Sequence, residues 1–179
     1  MTLITCTRLL GFDAGHRVHE HESKCAHLHG HRYTAELTAS GNLDRLGRVV
    51  DFGVLKRLVG AWIDDHWDHG FIVWQHDPLV EVLQELHVRE SLGETDDEVS
   101  EPIRQKLFLL PENPTAENLA AYLLEIVCPQ LLEGTGVRVV HVRLWETPNC
   151  YADAALTKLR DNETTFKPGD DVDPRLTLF

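Results

Sequence analysis

The chain of 179 residues, with 42% hydrophobic and 26% charged residues, has the composition of one globular domain rather than two. Its net charge of −12 argues against nucleic-acid binding, and four scattered cysteines argue against a disulfide scaffold. No apolar run reaches the roughly 20 residues of a membrane helix, and the first residues lack the basic and apolar regions of a signal peptide. A cytoplasmic protein without membrane contacts is therefore expected.

Hydrophobic periodicity and turn residues predict strands and helices in alternation. The strand period of two is clearest from Tyr33 to Ser40, and Asp51, Asn113 and Thr115 are candidate helix N-caps. In chain order, the predicted elements are strands over 3–12 and 31–41, a helix over 53–66, a loop or short extended piece over 67–74, a helix over 78–92, an acidic loop over 93–101, a short strand over 105–110, a helix that opens at 113–117 and ends before Pro129, and strands over 137–145 and 150–159.

The order of the strongest elements is strand, strand, helix, helix, strand, strand. It predicts an α+β fold, with a four-stranded antiparallel sheet and two helices on one face. Such a sheet leaves its edge strands open, and pairing these edges with copies of the chain would close a β-barrel. A homo-oligomer is therefore expected.

A cluster of histidines precedes the second predicted strand. His29 and His31 are two residues apart at its head, so their imidazoles project to the same side. A third histidine from a neighbouring strand would complete a three-nitrogen Zn²⁺ site with one open position, as in catalytic zinc centres. A lone His-X-His is usually structural, and a single cysteine is usually buried filler. The presence of His16 and Cys25 in the same short stretch favours a metal site.

Six motifs resemble those of the 6-pyruvoyl-tetrahydropterin synthases and the related 6-carboxy-tetrahydropterin synthases of queuosine biosynthesis. They follow the family's order over about 3–160, and they are Phe12-Asp13-Ala14-Gly15-His16, Cys25-X-X-X-His29-Gly30-His31, Val50-Asp51-Phe52, Asp68-His69, Asn113-Pro114-Thr115-Ala116-Glu117-Asn118 and Trp145-Glu146-Thr147. The resemblance implies a T-fold, usually a hexamer of two trimers with active sites between subunits. It also implies one domain over 1–160, in which 75–110 is a longer connection, and a polar C-terminal tail over 161–179.

The resemblance implies a zinc-dependent lyase that converts 7,8-dihydroneopterin triphosphate to 6-carboxy-5,6,7,8-tetrahydropterin, releasing triphosphate and acetaldehyde. The three residues between Cys25 and His29 resemble this group, because the pyruvoyl-forming enzymes typically have five. Two alternatives stay open: a 6-pyruvoyl-tetrahydropterin synthase, and a non-catalytic zinc- or pterin-binding relative. A zinc hydrolase is a weaker alternative, since no His-Glu-X-X-His motif is present.

Within this family, each matching residue has an implied role. His16, His29 and His31 would hold Zn²⁺. Cys25, beside the cation, would act as a thiolate base for a proton of the substrate side chain.

The other implied site residues lie later in the chain. Asp68 would orient His69 as a second proton-transfer unit. Glu146 would accept two hydrogen bonds from the pterin ring. Thr115 would add a hydroxyl contact to the ring, although a helix cap is nearly as good an interpretation.

Positive charge near the histidines would suit the triphosphate of the substrate despite the acidic net charge. The basic candidates flank the histidine cluster and are Arg17, Lys24 and Arg32. The surplus histidines are interpreted as loop residues rather than further metal ligands, and they are His19, His21 and His27.

Overall fold

The computed structural model describes residues 3–84 and 105–157. Its strands are β1 (Thr5–His16), β2 (His29–Gly41), β3 (Gly70–Trp74), β4 (Leu107–Leu110), β5 (Val137–Thr147) and β6 (Cys150–Ala155). They form one sheet in the order β4-β3-β1-β2-β5-β6. The predicted acidic loop over 93–101, most of the predicted helix over 78–92 and the tail over 161–179 lie outside the described residues, although 79–84 are helical.

Two long helices pack against one face of the sheet, and both are capped as the sequence predicts. The first, α1, runs over 52–66, and the Asp51 side chain accepts a hydrogen bond from the Gly53 backbone N–H at 2.8 Å. The second, α2, runs over 116–131, and the Thr115 hydroxyl accepts one from the Asn118 N–H at 3.3 Å.

The predicted end of α2 before Pro129 is wrong, because the helix continues to its last α-helical piece, Cys128–Leu131. A π-helical turn, Leu123–Val127, directly precedes that piece. Proline lacks an N–H and its ring crowds the preceding turn of a helix. The wider π turn accommodates both effects, so the chain stays helical through Pro129.

The α+β class and the four predicted antiparallel strands are confirmed. β1, β2, β5 and β6 are neighbours, and each pairs antiparallel with the next. The sheet nevertheless has six strands, since β3 pairs parallel with β1, and β4 pairs parallel with β3. The short strand predicted over 105–110 is confirmed as β4, and β3 lies within the predicted loop or short extended piece over 67–74. Both are short apolar runs without a clear period, so their parallel pairing was not predicted.

The core lies between the sheet and the helices, and β2 is its central strand. Tyr33, Ala35, Leu37 and Ala39 are fully buried on the helix side of β2. Across the described residues 3–84 and 105–157, no helix combines the length and the apolar character needed to span a membrane.

We predict that Leu37→Ala lowers the free energy of unfolding by about 2–5 kcal/mol, because it opens a cavity at a fully buried position of the central strand. Chemical denaturation monitored by circular dichroism measures this loss. The control is Leu46→Ala, at a leucine that is 67% exposed, which we expect to change stability by less than about 0.5 kcal/mol. Equal losses in the two variants would contradict this view of the core.

Candidate active site at the ends of β1 and β2

Three histidines meet where β1 ends and β2 begins. His16 and His29 are register partners of the antiparallel pair, and His31 follows on the same side of β2. The Nε2 atoms of His16 and His29 are 3.0 Å apart, and one ring nitrogen from each of the three residues lies within 4.8 Å of the others. The predicted convergence of these imidazoles is present.

Backbone carbonyls orient two of the imidazoles. Nδ1 of His16 is 2.8 Å from the carbonyl oxygen of Pro114, just before α2, and Nδ1 of His29 is 2.8 Å from that of His27. A carbonyl only accepts hydrogen bonds, so each Nδ1 carries the proton and each Nε2 offers its lone pair to the cluster.

Burial favours the neutral form of two of these imidazoles, His16 and His31. His16 is 1% exposed, and desolvation lowers its pKa to about 4. The pKa of His31 is lowered for the same reason, against the opposing attraction of Glu146. Three imidazole nitrogens that lie within 4.8 Å of one another fit the donor set of a three-histidine zinc site, in which adjacent ligand nitrogens are about 3.3 Å apart.

The glycine between the two ligands of β2 has a packing role. A Cβ atom on Gly30 would lie 2.9 Å from the carbonyl oxygen of Ala14 on β1. Because glycine has no Cβ, the two strands can approach closely at this point, where the ligands face each other across the pair.

Glu146 borders the cluster. Its Oε1 atom lies 3.5 Å from Nε2 of His16 and 3.8 Å from Nε2 of His31. The register of β5 with β6 shifts between Trp145 and Thr147, so Glu146 occupies a bulge. Bulges re-aim a side chain, and this one leaves the carboxylate beside the imidazoles.

Thr115 and Cys25 lie in the segments around the cluster. The Thr115 hydroxyl caps α2, next to the carbonyl of Pro114 that holds His16. Cys25 is half-buried in a 3₁₀ turn, Lys24–Ala26, and its carbonyl accepts a hydrogen bond from Val18. Cys25 thus lies in the loop that joins β1 to β2, the two strands that carry the three histidines.

The Asp68-His69 pair occupies a different place. Oδ2 of Asp68 is 2.6 Å from Nδ1 of His69, and Oδ1 accepts a hydrogen bond from the backbone N–H of Asp13. Burial acts to raise the pKa of Asp68, but this bond and the contact with His69 hold it below its usual value. His69 has a φ of 55° and a side chain that is 78% exposed.

This pair and the three histidines lie on different sides of β1. Asp68 and His69 hold the backbone of Asp13, whose side chain alternates with the buried Phe12 and Ala14 and pairs with Arg32. His16 belongs to the buried side. Within the described residues, the single chain therefore does not bring the Asp68-His69 pair to the histidine cluster.

Two of the predicted basic residues are already in ion pairs. Arg17 binds the buried carboxylate of Asp77 at 2.7 Å, and Arg32 binds Asp13 at 2.6 Å. Lys24 is exposed beside Cys25. The surplus histidines His19, His21 and His27 do not belong to the three-residue metal group found among residues 3–84 and 105–157.

Sequence reasoning missed the partners that position the site. The carbonyls of Pro114 and His27 belong to the backbone, so the pattern of side chains does not indicate their contacts with the imidazoles. Asn113 holds the loop after β1 through two hydrogen bonds with the backbone of His19, although its position suggested only a cap. The sequence around Pro114 does not indicate that this segment positions His16, because only the folded chain brings it close to the histidine cluster.

Comparisons with known proteins agree with this architecture. A sequence profile of the family described as 6-pyruvoyl tetrahydropterin synthase matches residues 5–156. The 6-carboxy-5,6,7,8-tetrahydropterin synthase of Rickettsia bellii is 41% identical over 152 residues, which are 84% of this chain and 99% of that protein. The protein of the same name from Haemophilus influenzae is 31% identical over 146 residues, which are 79% of this chain and 92% of that protein.

Solved structures share the fold. An uncharacterized protein from Wolinella succinogenes superposes with a TM-score of 0.71 at 25% identity, over 87% of this chain and 99% of that chain. The 6-pyruvoyl tetrahydropterin synthase of Caenorhabditis elegans superposes with a TM-score of 0.55 at 20% identity, over 88% of this chain and 98% of that chain. The predicted T-fold is confirmed.

We predict that His29→Ala lowers zinc affinity by more than about 100-fold, because it removes one of three convergent nitrogens. Competition with a chromophoric chelator measures the affinity, and elemental analysis measures the stoichiometry. His27→Ala is the matched control: its side chain is exposed, and its backbone carbonyl still holds His29. If both variants kept the affinity of the wild type, the three histidines would not be the zinc site.

Proposed function

Because the chain belongs to the 6-pyruvoyl tetrahydropterin synthase family, we propose that it is a zinc-dependent lyase that converts 7,8-dihydroneopterin triphosphate and one water molecule to 6-carboxy-5,6,7,8-tetrahydropterin, triphosphate and acetaldehyde. The observation that carries the proposal is the group of three histidines whose ring nitrogens lie within 4.8 Å of one another, with Glu146 on its border and Cys25 in the loop between the two strands that carry them. Relatives named 6-carboxy-5,6,7,8-tetrahydropterin synthase at 41% and 39% identity favour this product over the pyruvoyl one.

The proposed metal site consists of His16, His29 and His31. When bound there, zinc would supply Lewis-acid stabilisation of negative charge that develops on side-chain oxygens of the substrate. Burial favours the neutral form of His16 and His31, and the carbonyls of Pro114 and His27 fix the orientation of two rings.

The pterin ring is proposed to bind at Glu146. A carboxylate can accept two parallel hydrogen bonds, from the amino group and the adjacent N–H of the ring. Because Glu146 lies within 4 Å of two ligand imidazoles, a ring held there directs its side chain over the histidines. Thr115 lies next to the residue whose carbonyl holds His16, and its hydroxyl is proposed to contact the ring from that side.

Proton transfer is proposed for Cys25 and for the Asp68-His69 pair. Cys25 takes a proton from a carbon of the substrate side chain as a thiolate. The carboxylate of Asp68, held ionised by its hydrogen bonds, orients His69 and stabilises its charged form. Carbon–carbon cleavage and loss of triphosphate both need such transfers.

Since the Asp68-His69 pair and the histidine cluster lie on different sides of β1, we propose that the pair serves the site of a neighbouring subunit. The two strands at the ends of the described sheet, β4 and β6, offer edges for pairing with copies of the chain. The proposed assembly is a homo-oligomer with shared sites, and a hexamer is the expected form.

The first test is turnover with product identification. Zinc-loaded protein incubated with 7,8-dihydroneopterin triphosphate is expected to yield 6-carboxy-5,6,7,8-tetrahydropterin by mass spectrometry, and a chelator is expected to stop the reaction. Cys25→Ala is expected to lower kcat by about 100-fold or more and to leave the zinc content unchanged. The mass of 6-pyruvoyl-tetrahydropterin would instead establish the second candidate reaction. Tight substrate binding without product would instead indicate a non-catalytic zinc- or pterin-binding relative.

The second test examines the shared site. Cys25→Ala and His69→Ala are each expected to be nearly inactive, but co-assembly of the two variants is expected to restore activity in about a quarter of the sites, because random mixing pairs intact halves that often. Size-exclusion chromatography identifies the mixed oligomers. As a control, a mixture of Cys25→Ala with Cys25→Ser has no intact thiol and stays inactive. Failure of the first mixture to recover would mean that each chain builds its own complete site.

A further inference from the structure

One buried hydroxyl beside the histidine cluster has no role in the mechanism described so far. Tyr33 is fully buried on β2, and among the described residues its phenolic oxygen has no hydrogen-bond partner. Leaving such a group unpaired is destabilising, so native proteins rarely keep one without a reason.

The position of Tyr33 points to the cluster as that reason. Its ring makes edge contacts with His16 and His31, with centroids 5.9 and 5.7 Å apart, and it stacks on Phe12 at 5.0 Å on another side. These contacts fix the ring, so the hydroxyl has little freedom to turn towards a partner elsewhere.

Glu146 is the cross-strand neighbour of Tyr33. Thr34 pairs with Trp145, so one step further along the two strands brings Tyr33 opposite Glu146, on the face that carries Leu144. The phenolic O–H of a tyrosine is a hydrogen-bond donor, so Tyr33 can donate to an oxygen that reaches this position.

The two other orphaned groups of the described residues differ from Tyr33. Nε of Arg8 belongs to a guanidinium with four further N–H bonds. Trp67 lies in an aromatic cluster with Trp62, Phe108 and Tyr122. Only the orphaned hydroxyl of Tyr33 adjoins a group of candidate metal ligands within the described chain.

We infer that Tyr33 contacts the bound small molecule and donates its phenolic O–H to an oxygen on that molecule's side chain. The class of ligand, a pterin with a hydroxylated side chain, rests on the proposed function. The site itself rests on the packing around Tyr33.

The test compares two probes on zinc-loaded protein, 7,8-dihydroneopterin, whose side chain carries hydroxyls, and 6-methyl-7,8-dihydropterin, whose side chain has no oxygen. For Tyr33→Phe, we expect the first probe to bind about 3- to 10-fold more weakly, as for loss of one hydrogen bond, and the second to change by less than about 2-fold. Fluorescence titration measures both constants. Zinc stoichiometry is expected to stay the same, and Tm is expected to stay the same or rise, because the variant removes an unpaired buried oxygen.

The matched control is Tyr122→Phe, the same change at a tyrosine in the aromatic cluster with Trp62 and Phe108, and it should alter neither constant. Equal weakening of both probes by Tyr33→Phe, or no weakening of either, would overturn the inference. A large fall in Tm without a difference between the probes would also overturn it, because the hydroxyl would then be structural. If Tyr33→Phe weakens the first probe alone, as expected, but the wild type forms no product, the proposed reaction fails while the role of Tyr33 stands.

Discussion

The antiparallel register of β1 and β2 is the constraint on which the site depends. It places His16 directly opposite His29 and sets His31 one pleat further on the same face. Side chains alternate along a strand, so a slip by one residue would move His16 to the opposite face and expose the apolar side of β1. The pattern that buries Phe12 and Ala14 therefore fixes the ligand geometry as well, and the core and the site cannot vary independently.

The second determinant is the environment of the imidazoles. A buried histidine can bind a metal only as the neutral ring with its lone pair directed at the ion. Burial lowers the pKa of His16 and so favours its neutral form, and the hydrogen bond to the carbonyl of Pro114 orients its ring. That carbonyl directly precedes the Thr115 cap of α2. The start of a core helix and the orientation of a ligand are thus set by the same few residues.

The sequence alone predicted the features that depend on local pattern. Alternation defined β1, β2, β5 and β6, cap chemistry defined the starts of both helices, and the spacing of His29 and His31 defined their shared face. Features that depend on tertiary pairing were not predictable in the same way. The apolar runs of β3 and β4 have no period, so the parallel pairing of β3 with β1 and of β4 with β3 was not predicted. The carbonyl partners of the histidines and the packing of Tyr33 follow only from the assembled sheet.

The position of the Asp68-His69 pair follows from the crossover that brings β3 parallel to β1. The chain returns from α1 at the edge of β1 that does not pair with β2, and Asp68 and His69 bind the backbone of Asp13 there. One strand thus carries the His16 side chain on its buried face and binds the Asp68-His69 pair along the edge that faces β3. Both attachments are hydrogen bonds to the backbone of Asp13, so β1 holds the pair at this position. In the proposed mechanism, the symmetry of the oligomer unites the two halves, because it brings the Asp68-His69 pair of one copy to the histidine cluster of the next.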